Sequence, residues 1–367
     1  MSHEAFHNPV RLQFGEGCLS KIAAIVRGRR YLLVTHAGNV AQAWCERIVG
    51  LCGKPVQLLN TVTANPTLDI LRDQCAAMAT SCAQVDVIVA IGGGSVIDTA
   101  KFLAAGRGYY QAVINRMQGG QHLSAPALPI IAVPTTAGTG SDLTKWATVW
   151  DMRGNRKLSL EADDLYPEAS FVDPVLTYTQ PWSITLASGL DALSHALESV
   201  WNINANICTR TLAVAASKDV LAALPVLKRN PICRSARRRM AMGATRAGLA
   251  FSATRTAIAH NISYPLTIEQ GVAHGIACSF SLPEVMEAAI GVDARCDAAL
   301  MEIFGPLTRA PQHLRAFLNK FDIPRSAQAF GVDEHQWLDI VTSAAGGERG
   351  KNFIGYADRL YRSNIPN

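Results

Sequence analysis

The sequence lacks any run of 18 apolar residues without a charge, which excludes a membrane-spanning helix. It also lacks a basic segment followed by an apolar run near its first residue, so we expect no signal peptide and a cytoplasmic protein. Neither sign of charge is in large excess: the chain has 34 basic and 29 acidic residues, which leaves a net charge of +5. That balance weakly favours an anionic ligand and argues against a nucleic-acid partner.

None of the nine cysteines forms a Cys-x-x-Cys pair, and they are scattered along the chain. This spacing favours reduced, mostly buried thiols and argues against a disulfide framework or a zinc cluster. The length of 367 residues predicts about two domains, and the sequence contains no internal repeat and no low-complexity segment.

Short apolar segments alternate with helical patterns in the first half of the chain. Buried strands are predicted at residues 31–35, 55–59, 85–91 and 129–133, and helices at residues 40–53 and 67–83. Because these strands are apolar throughout and are separated by helices, they predict a mainly parallel sheet covered on both faces.

Strand patterns fade near Gln180, and alanine- and leucine-rich helical segments follow. They cover residues 183–201, 209–227, 235–253 and 256–263, with more towards the C-terminus. We therefore predict an α/β domain over residues 1–180 and an all-helical domain over residues 181–367. Breaks in the helical pattern are predicted at Pro225, Pro231, Pro265, Pro283, Pro306, Pro311 and Pro324.

Three consecutive glycines at residues 92–94 directly follow the third predicted strand, and Ser95 comes next. Glycines between a strand and a helix let backbone N–H groups approach a phosphate, and the helix N-terminus favours its negative charge. The segment matches neither Gly-x-Gly-x-x-Gly nor Gly-x-x-x-x-Gly-Lys-Ser/Thr, so the common dinucleotide and P-loop templates both fail. An anion-binding turn is favoured, and a tight turn in which Ser95 caps the helix is the alternative.

A second loop, rich in hydroxyl groups, follows the fourth predicted strand. Residues 134–142 contain three threonines, one serine and two glycines. Taken alone, this could be any surface loop. Both loops, however, follow parallel strands, and open α/β sheets bind ligands at the carboxyl ends of their strands. The pair therefore predicts a phosphate-binding edge of the sheet.

A candidate metal site comes from four residues of the second half. Asp191 and His195 lie four residues apart in a helical segment, so both side chains project from one face. His260 and His274 follow among apolar and small residues. Each of these residues alone is an ordinary hydrogen-bonded or buried group. One carboxylate and three imidazoles together suit a divalent transition metal with an open coordination position.

These motifs resemble those of the iron-dependent (group III) alcohol dehydrogenases. The glycine turn, the Pro-Thr-Thr-Ala-Gly-Thr-Gly-Ser loop, the Gly-Leu-Asp-Ala-Leu-x-His-Ala-x-Glu segment and two histidines fourteen residues apart occur in the family's order. The resemblance implies a Rossmann-like dinucleotide-binding domain, a helical C-terminal domain and a metal in the cleft between them. The implied metal is Fe²⁺, or alternatively Zn²⁺, held by Asp191, His195, His260 and His274.

The same resemblance implies NAD(H) or NADP(H) as the cofactor. Asn65 matches the family position near the adenosine half of the cofactor, and Lys157 matches the position near the nicotinamide. The positions that match near the pyrophosphate are Gly93, Gly94, Ser95 and Asp98. Those that match near the phosphates and the nicotinamide ribose are Thr135, Thr136 and Thr139. Lys157 is also a candidate catalytic residue.

Two positions depart from the family pattern. Family members that prefer NAD carry an aspartate just after the first strand to bind the ribose 2′-hydroxyl, and this chain has Thr35-His36-Ala37-Gly38 there. Without that carboxylate, NADPH is tolerated or preferred. Many members also carry a histidine four residues after the first of the two late histidines. Here the residue is Tyr264, a second candidate catalytic residue whose phenol can relay a proton.

Local strings, among them residues 144–151 and 262–267, look like the branch of phosphonoacetaldehyde reductases. The implied reaction is reversible hydride transfer to a small aldehyde, such as phosphonoacetaldehyde, by a homodimer that binds neither membranes nor nucleic acid. A dianionic substrate needs cations near the metal, and the candidates are Arg255, Arg349 and Lys351. The alternatives are a dehydroquinate synthase-like lyase, a reductase of another aldehyde or keto acid such as maleylacetate, and a non-enzymatic sensor.

Overall fold

The computed structural model describes residues 4–118, 126–154 and 156–360. The chain forms two compact units: Pro9–Thr179, and Gln180–Asn367 together with the N-terminal segment Met1–Asn8. Within the described residues, no helix is both long enough and apolar enough to span a bilayer.

The first unit contains a six-stranded sheet in which every neighbouring pair is parallel. Its strands, in spatial order, are β1 (Arg11–Phe14), β8 (Ala169–Val172), β5 (Ile130–Pro134), β4 (Val87–Gly92), β2 (Tyr31–His36) and β3 (Gln57–Val62). A separate antiparallel hairpin consists of β6 (Trp146–Asp151) and β7 (Arg156–Glu161).

Helices cover the sheet on both faces, as the apolar strands predict. They are α1 (Ile22–Val26), α2 (Asn39–Cys52), α3 (Leu68–Ala79), α4 (Gly94–Gly106) and α5 (Tyr110–Met117). Side chains alternate between the faces of each strand. Leu32 and Ile88 therefore join one core with α3 and α4, whereas Leu33 and Val89 join another with α1 and α2.

The described part of the second unit is helical, apart from short 3₁₀ turns and one isolated bridge. Its helices are α6 (Trp182–Val200), α7 (Ile207–Arg229), α8 (Arg234–Thr254), α9 (Ile258–Glu269), α10 (His274–Ser279), α11 (Leu282–Ala289), α12 (Ala294–Phe304), α13 (Ala310–Asn319) and α14 (Glu334–Gly346). Small residues let α6, α7 and α8 approach closely: a methyl group added to Gly189 would lie 2.8 Å from Leu224.

Two of the predicted proline breaks, those at Pro225 and Pro265, are wrong. Pro225 lies inside α7 and Pro265 inside α9, while Pro283 and Pro311 lie in the first turns of α11 and α13. A proline in the first turn costs no hydrogen bond, because the N–H it lacks has no partner there. Inside a helix it removes one bond at a cost of about 3 kcal/mol, which packing along a long helix can offset. Pro231, Pro306 and Pro324 do lie between helices.

Glu284 of α11 provides a test of stability against pH. It is buried, with 6% of its surface exposed. Arg315 donates to its Oε1 atom at 3.2 Å, and its Oε2 atom has no hydrogen-bond partner among the described residues. Burial raises its pKa to about 7, against the opposing charge of Arg315. Between the unfolded value near 4.5 and the folded value of about 7, the folded chain holds a proton that the unfolded chain releases.

The contribution of Glu284 to the free energy of unfolding of the wild type is therefore fully present below pH 4.5, and it is lost as the pH rises through about 7. We expect Glu284→Gln to gain stability relative to wild type between pH 5 and pH 8, by about 2–3 kcal/mol. Urea unfolding of both proteins across this range measures the gain. Glu287→Gln, which removes a more exposed carboxylate from the same arginine, is the control. A difference that is constant with pH would contradict the expectation.

Candidate active site

Helix α6 carries the first two residues of the candidate metal site. Asp191 and His195 lie one turn apart, and both are buried, with 4% and 5% exposure. The His195 Nε2 atom lies 3.7 Å from Asp191 Oδ1. The His195 ring is stacked on Phe251, with centroids 4.0 Å apart, and this contact fixes its plane.

The other two histidines come to the same carboxylate from α9 and α10. His260 Nε2 lies 3.5 Å from Asp191 Oδ1, and the His260 ring stacks on that of His195 with centroids 4.6 Å apart. The ring of His274, the first residue of α10, meets the His260 ring edge-on at 5.5 Å. The four residues predicted from the sequence as metal ligands are thus brought together within one unit.

Some polar atoms of this cluster are buried without a hydrogen-bond partner among the described residues. Asp191 Oδ1 and His260 Nε2 make no hydrogen bond to any described residue. Leaving such atoms unpaired costs free energy, so a buried site that retains them has another ligand for them. A carboxylate oxygen beside several imidazole nitrogens is a donor set for a divalent transition metal, and the residues therefore fit one.

Glu198 supports His260 from the side away from Asp191. Its carboxylate lies 2.6 Å from His260 Nδ1 and accepts the backbone N–H groups of Ala257 and Ala259 at 2.9 Å and 2.6 Å. Since a carboxylate only accepts, Nδ1 carries the proton and Nε2 keeps its lone pair for a metal. The same contacts place the carboxylate at the N-terminus of α9, where negative charge is favoured.

Charge within the cluster favours ionised carboxylates. Burial alone would raise the pKa of Asp191, but the neighbouring His195, His260 and His274 hold it below its usual range. Burial likewise opposes ionisation of Glu198, and His260 with the backbone N–H groups of α9 outweighs it and lowers that pKa. Both groups are therefore anionic acceptors at neutral pH.

A glycine lets α10 bring His274 close to α6. A methyl group added to Gly275 would lie 1.8 Å from the Ala187 carbonyl oxygen and 2.9 Å from the Asp191 backbone nitrogen. No side chain fits in that space, so the contact between α10 and α6 at this point requires glycine. The position follows His274 directly, and it therefore sets the distance between the two ligand-bearing helices.

The two loops predicted to bind phosphate lie together in the α/β unit. A methyl group on Gly93 would lie 3.2 Å from the Thr136 side chain, and one on Gly94 2.7 Å from Thr139. The Thr135 backbone N–H donates to the Gly92 carbonyl at 3.0 Å, continuing the β4–β5 pairing. The two loops therefore lie side by side at one edge of the sheet, where the adjacent strands β4 and β5 end.

The turn before α4 is not capped by Ser95. Gly93 occupies the cap position and has no side chain, so the first N–H groups of α4 receive no cap from it. Ser95 instead accepts the Asn65 backbone N–H at 3.1 Å. Asn65, Gly93, Gly94 and Ser95 are thus neighbours, and the open helix N-terminus suits an anion.

Asp98 and Lys157, also assigned to the nucleotide site, lie beside this edge. Asp98 accepts from Ser141 Oγ at 2.5 Å and from the Thr148 backbone N–H at 3.0 Å, so its two oxygens hold the end of the threonine loop and strand β6. Lys157 lies on β7 opposite Trp150, with its ammonium 6.0 Å from that ring. The backbone N–H of Trp150 in turn donates to the carbonyl oxygen of Pro66, the residue that follows Asn65.

Three residues with a clear structural role had no role assigned from the sequence: Glu198, Lys101 and Cys278. Glu198 lies seven residues after Asp191, which places both on one helix face, so its sequence position did contain a signal. Cys278 lies four residues after His274 and so shares a helix face with it, whereas the role of Lys101 depends on tertiary contacts alone.

Comparison with known proteins identifies the family. The family model described as "Iron-containing alcohol dehydrogenase" matches residues 9–174, and "Fe-containing alcohol dehydrogenase family, C-terminal" matches residues 185–354. The chain belongs to the iron-containing alcohol dehydrogenase family. It is an oxidoreductase of that family, and the predicted resemblance and fold class are confirmed.

Individual relatives cover most of the chain. Long-chain-alcohol dehydrogenase 1 of Geobacillus thermodenitrificans is 31% identical over 309 residues, 80% of this chain and 76% of that protein. Phosphonoacetaldehyde reductase of Streptomyces viridochromogenes is 31% identical over 293 residues, 76% of this chain and 73% of that protein. The fold is also similar to the crystal structure of sulfoacetaldehyde reductase from Bifidobacterium kashiwanohense in complex with NAD+, with a TM-score of 0.88 and 26% sequence identity. The match covers 98% of this chain and 97% of that one.

Proposed function

We propose that this member of the family is a metal-dependent, NAD(P)H-linked reductase of a small aldehyde that carries an anionic group, such as phosphonoacetaldehyde, and that the product is the corresponding alcohol. The observation that carries the metal-dependent part is the convergence of Asp191, His195, His260 and His274, with two buried donor atoms unpartnered. The relatives named for phosphonoacetaldehyde and sulfoacetaldehyde support the substrate class.

Asp191, His195, His260 and His274 would hold the metal, and Glu198 would keep His260 in the tautomer that binds it. When bound, an iron or zinc ion supplies Lewis-acid polarisation of the carbonyl oxygen, and a reduced nicotinamide supplies the hydride. Tyr264 is stacked on His274 with ring centroids 6.2 Å apart, and we assign its phenol to the transfer of the proton that the alkoxide requires.

The edge formed by the two loops would bind the pyrophosphate through the N–H groups that open α4. Asn65, Ser95 and the threonines Thr135, Thr136 and Thr139 line that edge, and Asp98 and Lys157 flank it. At the end of β2, Thr35 donates to the Ile91 carbonyl at 2.8 Å, and the next residue is His36. With no carboxylate at residues 35–38, we propose that NADPH is accepted as well as NADH.

Arg349 is the cation best placed to bind an anionic substituent of the substrate. Its Nη1 donates to Thr256 Oγ1 at 2.6 Å, and its guanidinium lies 5.7 Å from the Tyr264 ring, which itself stacks on His274. It forms no ion pair with a described carboxylate. Of the other candidates, Arg255 is paired with Glu348 at 2.7 Å, and Lys351 is exposed.

Removal and return of the metal tests the reaction class. We expect chelated protein to lose NAD(P)H-linked aldehyde reduction and to regain it with one equivalent of Fe²⁺ or Zn²⁺, because Asp191 and the histidines hold the only group that polarises the carbonyl in this scheme. Nucleotide oxidation with phosphonoacetaldehyde and propionaldehyde measures this. Full turnover by metal-free protein, or none of any aldehyde by reloaded protein, would overturn the proposal.

Replacement of Arg349 by methionine tests the substrate class. The change removes a charge-assisted hydrogen bond to the anionic group, so we expect kcat/KM for phosphonoacetaldehyde to fall roughly 10- to 100-fold. The value for propionaldehyde should change by less than about threefold, since that substrate has no anion to pair. Lys351→Met, which removes an exposed cation two residues away, is the matched control. Equal losses for both aldehydes would reject the role of Arg349.

A further inference from the structure

Cys278 lies one helical turn after His274 in α10 and is fully buried. Its Sγ atom lies 3.6 Å from His274 Nε2 and 3.8 Å from Nδ1. The thiol is therefore in contact with the ring of a residue that we assign to the metal.

The thiol also belongs to a compact set of donor atoms. Asp191, His260, His274 and Cys278 each offer one ligand atom, and these four atoms all lie within 4.8 Å of one another. Donors bound to one tetrahedral zinc, at about 2.0–2.1 Å for nitrogen and about 2.3 Å for sulfur, lie roughly 3.5 Å apart. The upper limit of the observed spacing exceeds this by about 1.3 Å, so the donors would move together by at most that amount on binding an ion.

Other atoms of the set independently indicate a ligand at this point. Asp191 and His260 are 4% and 1% exposed, and their Oδ1 and Nε2 atoms have no hydrogen-bond partner among the described residues. His195 lies beside the set, with its Nε2 3.7 Å from Asp191 Oδ1. The sulfur therefore shares the point that these unpaired donors surround.

We propose that Cys278 is a further ligand of the metal. On binding, the thiol releases its proton to solvent, and the thiolate sulfur bonds to the ion alongside Asp191, His195, His260 and His274. The inference rests on the metal site of the proposed function. Because thiolate is a soft donor, it favours Zn²⁺ over harder ions and makes the metal preference of this chain different from that of an all-nitrogen-and-oxygen site.

Cobalt substitution tests the sulfur ligand without any assay of activity. Chelated full-length protein is loaded with one equivalent of Co²⁺, and we expect a sulfur-to-cobalt charge-transfer band in the near ultraviolet. Cys278→Ser should lose the band and keep the visible cobalt bands. Cys296→Ser, which changes another buried cysteine of the same unit outside the cluster, should keep both. A band that persists in Cys278→Ser would overturn the inference.

X-ray absorption of the zinc-loaded wild-type protein needs no variant and covers the case in which Cys278→Ser does not fold. We expect one sulfur scatterer at about 2.3 Å in addition to nitrogen and oxygen. Bound zinc with nitrogen and oxygen neighbours alone would reject Cys278 as a ligand and leave the proposed metal site standing. Failure of the protein to bind either ion would reject that site as well.

Zinc preference gives a third measurement. In competition titrations, Cys278→Ala should lower the affinity for Zn²⁺ by about tenfold or more, and the affinity for Fe²⁺ by less. An equal loss for both ions would show that the cysteine acts through packing and not as a soft donor.

Discussion

Replacing His260 with alanine is expected to abolish metal binding and aldehyde reduction while the chain still folds. The change deletes Nε2, a buried atom that has no hydrogen-bond partner among the described residues, and leaves Asp191 with one fewer neighbouring imidazole. Losing only a supporting residue of a metal site typically costs 10–100-fold in affinity, so losing a ligand should cost more than about 100-fold. Metal content after dialysis and zinc titration measure the loss.

The fold should survive because Glu198 keeps other partners. Its oxygens still accept the backbone N–H groups of Ala257 and Ala259 at the start of α9, so the carboxylate is not left without hydrogen bonds. Circular dichroism and a thermal melt check this. His335→Ala, which removes an exposed histidine of α14 in the same unit, is the control and should retain metal and turnover. Metal bound stoichiometrically by His260→Ala would contradict the assignment.

The central sheet could be predicted from sequence because its strands are buried on both faces. Strands predicted at residues 31–35 and 85–91 correspond to β2 (Tyr31–His36) and β4 (Val87–Gly92). The edge strand β1 and its neighbour β8 have only four residues each, too few for a periodic pattern. The hairpin of β6 and β7 was missed as well, because its strands mix exposed and buried side chains and contain charged residues.

The metal cluster was predictable in composition but not in detail. The spacing of Asp191 and His195 and the family motifs predict the four residues, and the structure places them next to one another. The distance at which they meet depends on Gly275, whose missing side chain admits the Ala187 carbonyl, and no local pattern predicts such a contact. Cys278 lies one turn after His274, but this spacing alone does not predict a ligand, since a buried cysteine in a helix is usually a small apolar residue. Tertiary packing, not propensity, gives these residues their role.

Lys101 of α4 gives the second large expected effect. Its ammonium is fully buried and donates to the carbonyls of Ser141 and Trp146 at 2.6 Å and 2.7 Å, and to Thr144 Oγ1 at 3.1 Å. These hydrogen bonds hold residues 141–146, which include the end of the threonine loop and the segment that follows it. Burial lowers the pKa of Lys101 to about 8, although nearby Asp98 and Asp142 favour its charged form.

We expect Lys101→Met to destabilise the protein by about 3–5 kcal/mol, the usual cost of removing one member of a buried charged network. Methionine keeps most of the side-chain volume but leaves two carbonyls without their donor and two carboxylates without their cation. Because the released segment continues the threonine loop, NADPH should also bind more weakly. Urea unfolding and nucleotide titration measure the two effects. Lys54→Met, at an exposed position of the same unit, should change neither.

The pH dependence separates a buried ammonium from simple packing. Between the folded value of about 8 and the unfolded value of 10.5, the unfolded chain holds a proton that the folded chain has released. The pH-dependent part of the contribution of Lys101 to stability is therefore fully present above pH 10.5 and is lost as the pH falls through about 8. The gap in unfolding free energy between wild type and Lys101→Met should accordingly widen as the pH rises from 8 to 10. A gap that stays constant would mean that the methionine variant loses only packing and hydrogen bonds. Lys101 would then not be a titrating member of the network that holds the threonine loop.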